Sequence, residues 1–194
     1  MAARATISAV ASRGLKRLDT AALYEYAVRA LARRSLTVAE LRGRLERRAA
    51  KPADVGQVIG RLIEVGYLDD RRLAESHSLF RREYEGYGPQ RVLSELRRRG
   101  VADKLASRAV KETYRGADEL ELVRQYLRRK LGRPAGGPRL EDRKQMAALF
   151  RALFRAGFSS AKIVAGLREI SSDSDWLETF AEHLQTAQDE EVFD

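Results

Sequence analysis

Val92-Leu93-Ser94-Glu95-Leu96-Arg97-Arg98-Arg99-Gly100-Val101 returns 57 positions later as Leu149-Phe150-Arg151-Ala152-Leu153-Phe154-Arg155-Ala156-Gly157-Phe158. The same offset carries Ala102 onto Ser159, Ala106 onto Ile163 and Val110 onto Leu167. An offset of 51 carries Leu41 and Leu45 onto Val92 and Leu96, and Lys51, Val55, Val58 and Ile59 onto Ala102, Ala106, Ala109 and Val110. A fixed offset that preserves apolar positions marks an internal repeat. In each copy a short helix stops, a tight turn follows and a second helix starts. A third apolar-periodic stretch comes next: Leu73, Leu79 and Phe80, then Leu122, Tyr126 and Leu127, then Trp176, Leu177, Phe180 and Leu184.

The spacing is helical throughout. Val55, Val58, Ile59, Leu62 and Ile63, and likewise Met146, Leu149, Phe150, Leu153 and Phe154, form the stripe of an amphipathic helix, and no alternating run suggests a strand. Thr37-Val-Ala-Glu40 reads as a capping box with Leu36 and Leu41 as its staple, and Asp69 as an N-cap with Leu68 and Leu73. Pro52 and Pro89 suit first helical positions, and Gly66, Gly100 and Gly157 suit left-handed stops. Short helices bury little alone, so each triplet must close a core. The predicted fold is therefore all-α: three tandem three-helix repeats in an elongated, curved array, preceded by a helix near 20–34. The expected parts are a basic flexible tail (1–19), the N-terminal helix plus first repeat (20–86), the second repeat (87–132), a Gly/Pro linker (133–140), the third repeat (141–188) and an acidic tail (189–194).

The 194 residues are 44% hydrophobic and 34% charged, with a net charge of +9. That excludes a disordered chain and favours a polyanionic partner. The charge is uneven: 1–139 carries a net +14 and 140–194 a net −5. With no Cys and two distant His, His77 and His183, a disulfide frame is excluded and a zinc site has no ligand set. No apolar run spans a bilayer, and the basic N-terminus lacks the apolar stretch of a secretion signal, so a cytoplasmic protein is expected. Phosphate-loop, nucleophile-elbow and zinc-protease motifs are absent, so neither catalysis nor a cofactor is expected.

Several segments together resemble the RecX family. They are the helix Tyr24–Arg34 leading into Ser35-Leu36-Thr37-Val38-Ala39-Glu40-Leu41, the run Gly66-Tyr67-Leu68-Asp69-Asp70 with Leu73-Ala74, and Gly86-Tyr87-Gly88-Pro89-Gln90-Arg91 with Leu96-Arg97-Arg98-Arg99-Gly100. The resemblance covers about 22–185 and is strongest over 24–112; Ala49-Ala50-Lys51 departs from the family's basic-residue-Gly at that turn. The resemblance implies a negative regulator of the RecA recombinase. It would bind the RecA–single-stranded-DNA filament, hold duplex DNA only weakly, act as a monomer, and inhibit filament extension, ATPase and strand exchange. The residues alone leave a second reading open: a helical module that binds DNA directly, with no recombinase partner.

The candidate contact residues are basic and aromatic. Arg97, Arg98 and Arg99 end one helix, with Arg91 and Glu95 upstream on it; Arg128, Arg129 and Lys130 end another; Arg81 and Arg82 precede Tyr84 and Tyr87. Such cations contact phosphates, and aromatics beside them stack on unpaired bases. The structural alternatives are a solvated helix end for the cations and a seal between the first and second repeats for the tyrosines. Arg42, Arg44, Arg47 and Arg48 read as a solvated face, and Asp69-Asp70 as helix-start carboxylates in place of a metal pair.

Overall fold

The structure, a computed structural model, describes residues 17–132 and 142–171, together with 176, 177, 179 and 180. Most of the expected basic tail, the Gly/Pro linker, Leu184 and the acidic tail lie outside the described residues. The regular elements described are helical: α1 (Thr20–Arg33), α2 (Val38–Glu46), α3 (Pro52–Glu64), α4 (Asp70–Phe80), a π-helical turn (Arg81–Glu85), α5 (Pro89–Arg98), α6 (Asp103–Thr113), α7 (Glu119–Leu131), α8 (Arg143–Arg155) and α9 (Ser160–Arg168). Residues 176, 177, 179 and 180 are helical as well.

The helix boundaries follow the expected punctuation. Thr37 Oγ1 accepts from the Glu40 amide at 3.0 Å and Glu40 Oε2 from the Thr37 amide at 3.1 Å. Asp69 accepts from the Arg72 amide at 3.0 Å. Asp70 does more than face a helix dipole: its Oδ1 accepts the Val38 amide at 2.8 Å and so caps α2 from a distance in sequence. Pro52 and Pro89 open α3 and α5, and Gly66, Gly100 and Gly157 close their helices at φ +75°, +80° and +89°.

The described residues divide into two compact units between Leu73 and Ala74, within α4. In the first, α1, α2 and α3 share one core around Leu23, Leu41, Leu45, Val55, Ile59 and Leu62. The helix near 20–34 is thus a full member of a bundle. In the second, α7, α8 and α9 share a core around Val123, Phe150, Leu153, Phe158, Ile163 and Leu167, sealed by Leu177. The repeat positions are buried in every copy: Leu45, Leu96 and Leu153 at 0%, and Val55, Ala106 and Ile163 at 2%, 0% and 0%.

Helix α4 is built inside out. Its buried residues are Ala74 and Ser78, whereas Leu79 and Phe80 stand 54% and 49% exposed. The apolar periodicity of the expected third helix therefore points outward here. The inward side is reserved for a charged cluster described below. After Phe80 the helix widens into the π-helical turn, which ends at Gly86 with φ +65°.

Helices α8 and α5 meet end to end. The N-terminus of α5 has no side-chain cap. Its orphan amides are taken by carbonyls at the end of α8: Gly88 N–H to Ala156 O at 2.7 Å and Gln90 N–H to Gly157 O at 3.2 Å. The positive end of one helix dipole faces the negative end of the other. Both partners must be glycine. A Cβ on Gly88 would sit 2.3 Å from the Gly157 carbonyl oxygen, and one on Gly157 would sit 2.3 Å from the Arg91 amide nitrogen.

Candidate functional site

Glu95 lies in the stripe that Val92 and Leu96 bury, and its side chain is only 9% exposed. A carboxylate at that depth requires compensating charge. Three elements supply it: Arg91 Nε at 3.1 Å from α5, Arg81 Nε at 2.8 Å from the π-helical turn, and His77 Nε2 at 3.1 Å from α4. Burial pushes the Glu95 carboxyl upward, but the Arg91 hydrogen bond, the Arg81 charge and the His77 hydrogen bond together outweigh it and hold the group below the usual carboxylate range. Burial lowers His77 in turn, against the pull of Glu95.

Tyr87 completes this cluster. Its ring lies under Arg91 at 3.7 Å and near Arg81 at 5.5 Å, and it packs against the α7–α9 core. Its carbonyl accepts from the Tyr114 hydroxyl at 2.6 Å. Arg91 also donates to the Arg155 carbonyl at 3.1 Å. Arg81, Tyr87 and Arg91 therefore lock the π-helical turn to α5 and to the end of α8. Of the two tyrosines, Tyr87 is half-buried against the α7–α9 core and Tyr84 is exposed.

Tyr84 is 75% exposed and stacks on Phe80, with ring centroids 5.1 Å apart at an interplanar angle of 27°. Beside it the π-helical turn and α7 enclose a cleft of about 420 Å³. Arg82, Glu83 and Gly86 form one wall, and Leu122, Arg128 and Arg129 the other. Arg82 donates to the Thr113 carbonyl and pairs with Glu83 at 3.4 Å. Arg128 pairs with Glu121 at 2.6 Å, and Arg129 Nη1 lies 3.5 Å from the Tyr84 carbonyl. The Arg129 guanidinium occupies the space a side chain on Gly86 would need. Lys130 is exposed on the same helix end.

The triple arginine of α5 stands apart from that cleft's walls. Arg97 pairs with Asp103 at 2.6 Å, and Arg98 is exposed. Arg99 is half-buried and acts electrostatically on His77. The sequence motifs assigned no contact role to His77 or Phe80, which entered as a rejected zinc ligand and an apolar-stripe residue, and placed Glu95 only as a face-mate of Arg91. The signal for Glu95 was its place in a buried stripe, where the repeat puts Ala152 in the next copy. Among the described residues no three His, Asp or Glu side chains gather as a metal site, and no helix is long and apolar enough to cross a membrane.

Known proteins are similar to this chain in sequence and in fold. The family model described as RecX, second three-helix domain, matches residues 69–110, the stretch of α4, the π-helical turn, α5 and most of α6. A protein of Deinococcus radiodurans named regulatory protein RecX is 37% identical over 150 residues, which are 77% of this chain and 69% of that one. The protein of that name from Halorhodospira halophila is 35% identical over 154 residues, 79% of this chain and 91% of the relative. The crystal structure of RecX from Lactobacillus salivarius superposes with a TM-score of 0.60 at 19% identity, covering 78% of this chain and 96% of that one. Relatives this similar over most of their length carry the same regulatory name, the helical repeats match in fold, and the family model falls on the helices that build the charged cluster and one wall of the cleft: the chain belongs to the RecX family.

Proposed function

We propose that this chain is a negative regulator of RecA that binds the RecA–single-stranded-DNA filament and inhibits its extension, ATPase and strand exchange. Membership of a family whose relatives are named regulatory proteins carries the reading. The surface is consistent with it: Arg98, Arg129 and Lys130 are exposed, and Arg82 and Arg128 reach a solvent-facing cleft. Arg82, Tyr84, Arg97, Arg98, Arg99, Arg128, Arg129 and Lys130 are the proposed contact residues. Arg81, Tyr87 and Arg91 serve by holding the turn that presents Arg82 and Tyr84. The protein acts as a monomer in the cytoplasm and needs no cofactor or catalytic group of its own.

The test is the DNA-dependent ATPase rate of RecA on single strands, with this protein titrated below the RecA concentration. Inhibition at substoichiometric ratios is expected, because a regulator of filament growth acts at few sites. An unchanged rate, with tight and salt-sensitive binding to naked DNA, would replace the proposal with that of a direct DNA-binding module.

A further inference from the structure

Two exposed features share one turn of backbone. The first is the Phe80–Tyr84 ring pair, with Leu79 beside it in sequence and 54% exposed. The second is the cleft, walled by three guanidinium groups and a single carboxylate, Glu83. The π-helical turn joins them: Tyr84 lies between Glu83 and Gly86 in the chain, and its carbonyl is 3.5 Å from Arg129 Nη1.

Leu79, Phe80 and Tyr84 are exposed together beside charged side chains, a pattern that marks interaction surfaces. We propose that this face takes a single strand of nucleic acid, an unpaired base stacking on Tyr84 and the adjoining phosphates seated among Arg82, Arg128 and Arg129. A ring already stacked on a second ring on one side offers its other side, and every base carries a π-face to meet it. The pair Phe80–Tyr84 is pre-ordered by its own stacking, so little freedom is lost when a base arrives. The arginines can serve phosphate without giving up their present partners. Each guanidinium has five donors, and the contacts above use one or two of them. Gly86 keeps the wall low enough for Arg129 to lie across it. The cleft volume of about 420 Å³ falls within the usual range for a bound small group. Duplex DNA suits the face poorly, because a paired base has both π-faces covered by its neighbours.

The proposal concerns this chain and naked strand alone. It rests on the functional reading above, whose strand contact it assigns to this face, and its test is run without a recombinase so that the two can fail separately. Full-length protein is titrated into labelled oligothymidylate, and separately into a duplex of equal length, with fluorescence anisotropy as the readout. The single strand is expected to bind more tightly. Tyr84→Ala should weaken single-strand binding by about tenfold or more, whereas Tyr84→Phe should keep it. Arg129→Gln should lower the slope of log affinity against log salt by about 0.7, the share of one phosphate contact on a single strand. Both positions are exposed, so circular dichroism should show the fold unchanged. The proposal is overturned if wild type does not bind the single strand, if Tyr84→Ala binds as wild type does, or if duplex and single strand bind alike.

Discussion

Glu95 is the residue that gathers α4, the π-helical turn and α5 into one charged cluster. Removing it takes the shared carboxylate from Arg81 and Arg91 beside Tyr87, and leaves Arg81 with Glu85 at 3.7 Å. Glu95→Ala should cost about 2–3 kcal/mol by chemical denaturation. The figure is below that for a fully buried pair because the Arg81 and Arg91 side chains keep 28% and 36% exposure. The cluster also sets a pH dependence. His77 titrates lower in the folded chain than its ordinary 6.5, so its contribution is complete above that pH and is lost as the pH falls through the folded value. Glu95 behaves likewise from its ordinary 4.5 downward. The melting temperature should therefore fall in two stages on acidification, and His77→Gln should remove the upper stage. The sequence made the Arg91–Glu95 pair visible, because the two are one helical turn apart. It could not show His77 and Arg81 arriving from another helix, since that meeting depends on how α4 packs.

At the scale of elements, local chemistry was the most readable part. The capping box at Thr37, the proline starts and the glycine stops are each decided within four or five residues, and all formed. The orientation of α4 was not readable. Its apolar residues do not fix which face turns inward, and the choice fell to the buried carboxylate opposite, which pairs with His77 beside the buried Ala74 and Ser78. The π-helical turn has no sequence signature of its own. The joint between α5 and α8 makes a clear prediction. Gly157→Ala places a methyl group against the Arg91 backbone and demands φ +89° of a non-glycine residue, so it should cost on the order of 2 kcal/mol or more in denaturant titration. Gly56→Ala, inside α3 with open space around it, should instead stabilise by roughly 0.5–1 kcal/mol.

For the whole molecule, the repeat was legible because burial recurs at fixed offsets. Leu45, Leu96 and Leu153 need only be counted in sequence to be found in the core. How the helices share cores was harder to read: α1 gives its apolar face to α2 and α3, and α7 gives its own to α8 and α9. Sequence order alone does not tell a leading helix from a trailing one. The candidate site divided in the same way. Sequence found most of the cations and both tyrosines, while packing sorted them into Arg81, Tyr87 and Arg91, which hold the frame, and Arg82, Tyr84, Arg128 and Arg129, which face outward.

The joint at Gly88 and Gly157 has a consequence for divergence. It is made chiefly of main chain, amide to carbonyl, with glycine on both sides, and Arg91 adds the one side-chain bond across it. Such a seam consults few side chains, so the surfaces around it are free to diverge without uncoupling the helices.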